Sequence, residues 1–145
     1  MLEHVKQIVD RKGSDVICIG PDDSLYDALR LMADNNIGAL VVKEGEHLIG
    51  ILSERDYARG FDSCRQSCLD ILVRNVMSKE IYFAKPETSI EEAMAIVTET
   101  RCRHLPVIEN DELIGLVSIG DLVKAIIEEK DFVIKQMEKY IKGES

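Results

Sequence analysis

The stretch Leu48-Ile49-Gly50-Ile51-Leu52-Ser53-Glu54-Arg55-Asp56 occurs a second time in this 145-residue chain, as Leu113-Ile114-Gly115-Leu116-Val117-Ser118-Ile119-Gly120-Asp121. Each copy is an apolar strand carrying a glycine, followed by a Ser-x-x-Asp that opens a helix. At a constant offset of 65, Pro21–Arg59 aligns with Pro86–Lys124 without gaps, and eleven of the 39 pairs are identical. Among them are Pro21/Pro86, Ser24/Ser89, Gly50/Gly115, Ser53/Ser118 and Asp56/Asp121. The chain is therefore an internal repeat of one supersecondary module.

Within each module, Ser24-x-x-Asp27 and Ser89-x-x-Glu92 are capping-box signatures. Apolar stripes at helical spacing follow: Leu25, Ala28, Leu29 and Met32, then Ile90, Ala93, Met94 and Val97. The helices end near Asn35-Asn36 and Thr100-Arg101. Two strands joined by a turn at Glu44-Gly45-Glu46 or Asn110-Asp111 come next, and a helix opens after Ser53 or Ser118. With Val16–Ile19 and Ile81–Ala84 as first strands, each unit reads β-α-β-β-α, an α+β class with α/β-like repeats. The expected division is an N-terminal helix over 1–15, a first repeat over 16–62 and a linker over 63–80. That linker packs on the core through Leu69, Ile71, Leu72 and Val76. A second repeat over 81–128 and a helical tail over 129–145 complete the chain. The tail carries Ile134, Met137 and Ile141, more apolar surface than a helix end requires, and is expected to pack across the module or onto a second subunit.

Hydrophobic content of 46% and charged content of 31% are those of a soluble globular protein. No apolar run approaches a membrane span, and the polar N-terminus does not resemble a secretory signal, so a cytoplasmic location is expected. A net charge of −9 argues against nucleic-acid binding, though not against one small anion held by local Arg and Lys. Cys18 and Cys102 sit in apolar surroundings suited to small buried thiols. Cys64 and Cys68 share a helical face, but no further His or Cys stands at metal-ligand spacing. Free thiols and no metal are expected.

Taken alone, each Ser-x-x-Asp is either a ligand rim or a well-made helix cap. Both copies use Asp where a capping box more often has Glu or Gln, and the shorter side chain is able to face a ligand. Arg101 and Arg103, two apart, would share one face of a strand, as an anion clamp or as a solvated edge. His104 reads as a hydrogen-bonded wall residue, because no nucleophile–base spacing accompanies it, and no enzyme activity is expected. Gly50 and Gly115 fit close backbone approach, which serves packing as readily as a ligand.

The doubled Gly-h-h-Ser-x-x-Asp, with Arg103-His104-Leu105-Pro106-Val107 ahead of the second hairpin, resembles a tandem pair of CBS domains from about Val16 to Ala125. The Ser53–Arg59 stretch is similar to small stand-alone CBS-pair proteins. The resemblance implies a Bateman module with pseudo-two-fold symmetry. Such a module is a regulatory, signal-transduction unit that binds an adenosine-containing nucleotide between its CBS domains and forms a homodimer. AMP or a relative is the implied ligand, NAD(H) the alternative, with an effector protein acting in trans; a ligand-free docking module is the contrasting reading. Carried over, Asp56 and Asp121 would hold ribose hydroxyls, and Ser53 and Ser118 would lie near phosphate. Ile17, Cys18, Ile19, Tyr82, Phe83 and Ala84 would line base pockets with Gly38, Ala39, His104 and Pro106. Arg55, Arg59, Arg101, Arg103 and Lys124 are cations able to meet phosphate. The first unit has Gly38-Ala39-Leu40-Val41 where the second has Arg103-His104-Leu105-Pro106, so two unequal sites are expected.

Overall fold

The computed structural model describes residues 3–13, 15–56 and 68–143. Its elements are α1 (Val5–Lys12), β1 (Cys18–Ile19), α2 (Leu25–Asn35), β2 (Ala39–Glu44), β3 (His47–Ser53), a 3-10 turn (Val73–Asn75), α3 (Ile90–Thr100), β4 (His104–Glu109), β5 (Glu112–Ser118) and α4 (Ile119–Ile141). They fall into two compact units, one of residues 16–81 and one of residues 1–15 with 82–145.

Local chemistry sets the matching elements. Ser24 and Ser89 accept the Asp27 and Glu92 N–H groups at 3.0 Å, starting α2 and α3. Asn36 and Arg101 close these helices in the left-handed region, at φ 52° and 59°. The hairpin β4–β5 turns through Asn110 and Asp111, both at positive φ, the conformation a tight two-residue turn needs. In the other unit Gly45 takes the positive φ.

The unit of residues 16–81 has a three-stranded sheet, with β1 parallel to β2 and β2 antiparallel to β3. In the other unit β4 and β5 pair alone. The expected strand Ile81–Ala84 does not form: only Ala84 makes a parallel bridge, to Val107. Proline explains the difference. The Val41 N–H donates to the Ile17 carbonyl at 3.4 Å, whereas its counterpart Pro106 has no N–H to extend the ladder.

The two cores use the same repeat positions. Leu25, Met32, Leu40 and Leu52 in one are matched by Ile90, Val97, Leu105 and Val117 in the other, all buried. Each core is completed by a segment outside the 39-residue alignment. The Val5 and Lys6 N–H groups donate to the carbonyls of Thr88 and Pro86, and the Ile90 N–H to that of Glu3. In the other unit the Val73 and Arg74 N–H groups donate to Asp23 and Pro21, and the Leu25 N–H to Ile71. Residues 3–9 and 71–77 thus play one role at an offset of 68, as Val5/Val73, Lys6/Arg74, Ile8/Val76 and Val9/Met77 show. The N-terminal helix belongs structurally with residues 82–145. Of the apolar residues expected to anchor the linker, Leu69 and Leu72 are exposed, while Ile71 is buried beside Val73.

The two repeat glycines make room for these segments. A Cβ on Gly115 would lie 2.7 Å from a Val9 methyl carbon, and one on Gly50 would lie 2.6 Å from the Met77 sulfur and 2.9 Å from the Ser78 carbonyl oxygen. The close approach expected at both positions is packing.

Candidate functional site

Strand register places His104 directly opposite Ser118, at the end of the hairpin where α4 begins. The Ile119 N–H donates to the Arg103 carbonyl at 2.9 Å. The Ser118 hydroxyl accepts the Asp121 N–H at 3.0 Å, and the Ser118 N–H donates to Asp121 Oδ2 at 2.9 Å. These reciprocal bonds make a complete capping box, with Asp in the role more often taken by Glu.

The same carboxylate oxygen accepts from Lys12 at 2.7 Å, and Lys12 also donates to the Leu116 carbonyl at 3.0 Å. Burial pushes the Asp121 carboxyl up, but Lys12 and the Ser118 donors outweigh it, leaving the group below the usual aspartate value. Asp121 is therefore an ionised acceptor at neutral pH, with a quarter of its side chain still exposed. Lys12, Asp121, Arg11, Lys124 and Glu128 line a small hollow of about 90 Å³, where Arg11 pairs with Glu128 at 2.8 Å.

The equivalent rim in the other unit is tighter. Ala39 lies opposite Ser53, and the Glu54 N–H donates to the Gly38 carbonyl at 3.1 Å. Asp56 Oδ2 accepts from the Ser53 N–H at 3.0 Å and from its hydroxyl at 3.1 Å. Asp56 is 5% exposed, the one buried charged side chain among the described residues. Arg55 is exposed. Lys12 corresponds at the 68-residue offset to Glu80, so the segment that brings a cation to Asp121 has an acid at the matching position in the other copy.

The base-pocket candidates are distributed unevenly. Cys18 and Ile19 line an open hollow of about 510 Å³ with Gly20, Asp23, Asp27 and Lys43; Ser53 and Asp56 are not among its described lining residues. Burial pushes the Cys18 thiol up, against the opposing pull of Lys43, so it stays protonated. Ile17 is half-buried, Gly38 exposed and Ala39 buried. Ala84 and Pro106 are buried, whereas Tyr82 and Phe83 are 39% and 52% exposed. Arg101 departs from expectation. It is the left-handed cap of α3 and precedes β4, so strand alternation does not put it on one face with Arg103. Arg59 and Cys64 lie outside the described residues.

Sequence reasoning missed Arg11 and Lys12. Locally they are basic residues in the last turn of α1, where they complement the helix dipole. The signal that could have placed them is the Val-basic-x-aliphatic pattern shared by residues 5–9 and 73–77.

A partly open, ionised carboxylate beside a hydroxyl and several cations is a donor and acceptor set suited to a ribose phosphate. The repeat architecture defines a tandem module of two like units, each with a Ser-x-x-Asp rim. The family model for the CBS domain matches twice, over residues 5–62 and 73–128, and the chain belongs to the CBS domain family. A mitochondrial CBS domain-containing protein of Arabidopsis thaliana, CBSX3, is 41% identical over 127 residues. That match takes in 84% of this chain and 62% of the relative's length. The crystal structure of the CBS domain protein NE2398 superimposes with a TM-score of 0.82 at 43% identity, covering 87% of this chain and 99% of that one. The CBS-domain protein ATU1752 from Agrobacterium tumefaciens gives 0.80 at 37% identity, covering 84% and 98%. Stand-alone CBS pairs are regulatory modules that commonly bind nucleotides. No helix among the described residues is long and apolar enough to cross a membrane.

Proposed function

We propose that this CBS pair is a non-enzymatic regulator that binds an adenosine-containing nucleotide, AMP or a close relative, at the Ser118–Asp121 rim. The observation that carries the reading is the Asp121 carboxylate: ionised, partly open, bonded to Lys12, and in a hollow that Arg11, Lys124 and Glu128 also line. Asp121 accepts the ribose hydroxyls, Ser118 lies toward the phosphate, and His104 stands across the hairpin. Tyr82 and Phe83 are the exposed aromatic rings available to the base. The Ser53–Asp56 rim supports a second, weaker site, because its carboxyl group is buried.

Occupancy is read out as a population shift. A ligand that bonds to Asp121 competes with Lys12, and so biases how α1 docks on its unit. The regulator acts as a homodimer on an effector in trans. An extended dinucleotide such as NAD(H) is the second ligand, since the exposed Arg103, beside His104 in the same unit, offers a further cation. Calorimetric titration with AMP, NAD+ and NADH tests the proposal, together with mass spectrometry of small molecules retained on purification. Saturable binding lost in Asp121→Ala is expected; no binding by the wild type, or unchanged binding by the variant, sinks it.

A further inference from the structure

In the unit of residues 16–81, one hollow breaks the likeness between the two copies. It holds about 510 Å³, the size of a small-molecule site, and lies where the ends of β1 and β2 meet the start of α2. Ser53 and Asp56 are not among its described lining residues. At the 65-residue offset, Cys18, Gly20 and Gly45 stand where the other copy has the larger Phe83, Lys85 and Asn110. Small residues open the hollow in this copy alone.

Its charges are unlike and unpaired. Lys43 is half-buried, yet among the described residues its ammonium makes no ion pair or hydrogen bond. The exposed Asp23 and Asp27 line the same hollow without pairing to it. Local structure does not account for two of these three charges. Asp23 Oδ2 accepts the Gly20 N–H at 2.9 Å, but in the other copy the neutral Thr88 hydroxyl accepts the Lys85 N–H at the same distance. Lys43 is matched by Ile108, so the strand needs no cation there. Asp27 is matched by Glu92, and both acids complement a helix dipole.

Two carboxylates, one ammonium and a protonated thiol leave the hollow net negative, which disfavours a phosphate. A simple amine would leave Lys43 unmatched, and a simple carboxylate would face two acids. A molecule with both charges answers all three groups, and Ile19 and Leu31 give it an apolar floor. We propose that this hollow binds a small zwitterion, an α-amino acid with an apolar side chain. Its ammonium donates to Asp23 and Asp27, its carboxylate accepts from Lys43, and its side chain rests on Ile19 and Leu31. The site is separate from the Ser118–Asp121 rim and does not depend on the nucleotide reading.

Calorimetry and amide NMR of the full chain titrated with L-leucine, L-methionine and L-phenylalanine test it. Isoamylamine and isocaproate serve as leucine lacking one charge. Lys43→Ile and Asp23→Thr install the residue the other copy carries at the matching position, and circular dichroism and the melting temperature check that the variants fold. Saturable binding of at least one amino acid, with amide shifts at residues 18–20 and 43, supports the proposal. Lys43→Ile should weaken it about tenfold or more, and each single-charge analogue should bind about tenfold or more weaker than leucine. Asp23→Thr should weaken it less, since Asp27 remains. No saturable binding of any of the three overturns the proposal, and AMP binding in the same sample would leave the nucleotide reading standing. Binding unchanged in Lys43→Ile, or shifts confined to residues outside the hollow, overturns the site. Isoamylamine or isocaproate binding as tightly as leucine overturns the zwitterion.

Discussion

Lys12 Nζ lies 2.7 Å from Asp121 Oδ2 and 3.0 Å from the Leu116 carbonyl oxygen, so the last residue of α1 sits on the carboxylate that ribose would use. A ligand bound through Asp121, as proposed, would share or displace this contact. The pair is partly exposed, and such pairs contribute up to about 1 kcal/mol. Lys12→Met is therefore expected to tighten AMP binding by at most about fivefold while loosening α1, as calorimetry and amide hydrogen exchange would read. Weaker binding would instead place Lys12 on the ligand phosphate and remove the competition.

The two repeat carboxylates are expected to respond in opposite ways to substitution. Asp121→Asn keeps a capping acceptor on a partly exposed side chain, so stability should fall by no more than about 1 kcal/mol. Ligand affinity should fall about tenfold or more, because a charged hydrogen-bond acceptor is lost. Asp56 is buried and bonded to both the Ser53 N–H and its hydroxyl. Asp56→Ala should cost about 1–3 kcal/mol of stability in urea unfolding. A neutral Asp56→Ala would mean that this carboxylate is not a structural cap.

Much of this was readable from local chemistry. The serine caps, the left-handed helix ends at Asn36 and Arg101 and the two-residue turns depend on neighbours within four residues, and the 65-residue repeat doubled every such signal. The α1 contacts were not readable in this way, because Lys12 and Asp121 are 109 residues apart and each already has a sufficient local role. Periodicity also overstated the strand at 81–84. Its apolar residues are genuine, but a strand needs a partner's N–H groups, and Pro106 removes one of them.

Acid should weaken the α1 anchor in a defined window. The Asp121 carboxyl lies below the ordinary value of 3.8 in the folded chain. A group depressed on folding contributes stability above its unfolded value, and that contribution is lost as pH falls through the folded one. The stability difference between wild type and Asp121→Asn should thus hold from neutral pH down to about 5 and shrink below about 4. Urea unfolding of both proteins across that range measures it. A difference that grows on acidification would contradict the Lys12–Asp121 pairing.

The glycines separate side-chain from backbone crowding. Gly115→Ala pushes against the Val9 methyls of α1, whereas Gly50→Ala pushes against both the Met77 side chain and the Ser78 carbonyl. That carbonyl is fixed: it accepts the Ile51 N–H at 3.0 Å, while the Ser78 N–H donates back to Ile51 at 2.8 Å. Each single substitution should cost about 1–3 kcal/mol. Removing the obstructing side chain should help only one of them. In a double-mutant cycle, Val9→Ala with Gly115→Ala should show favourable coupling of about 1 kcal/mol. Met77→Ala with Gly50→Ala should show much less, since the Ser78 oxygen remains 2.9 Å from the new methyl carbon unless the bridge opens. Equal coupling in the two cycles would mean that the 77–78 segment yields as readily as a side chain, and that its bridge to Ile51 does not hold it.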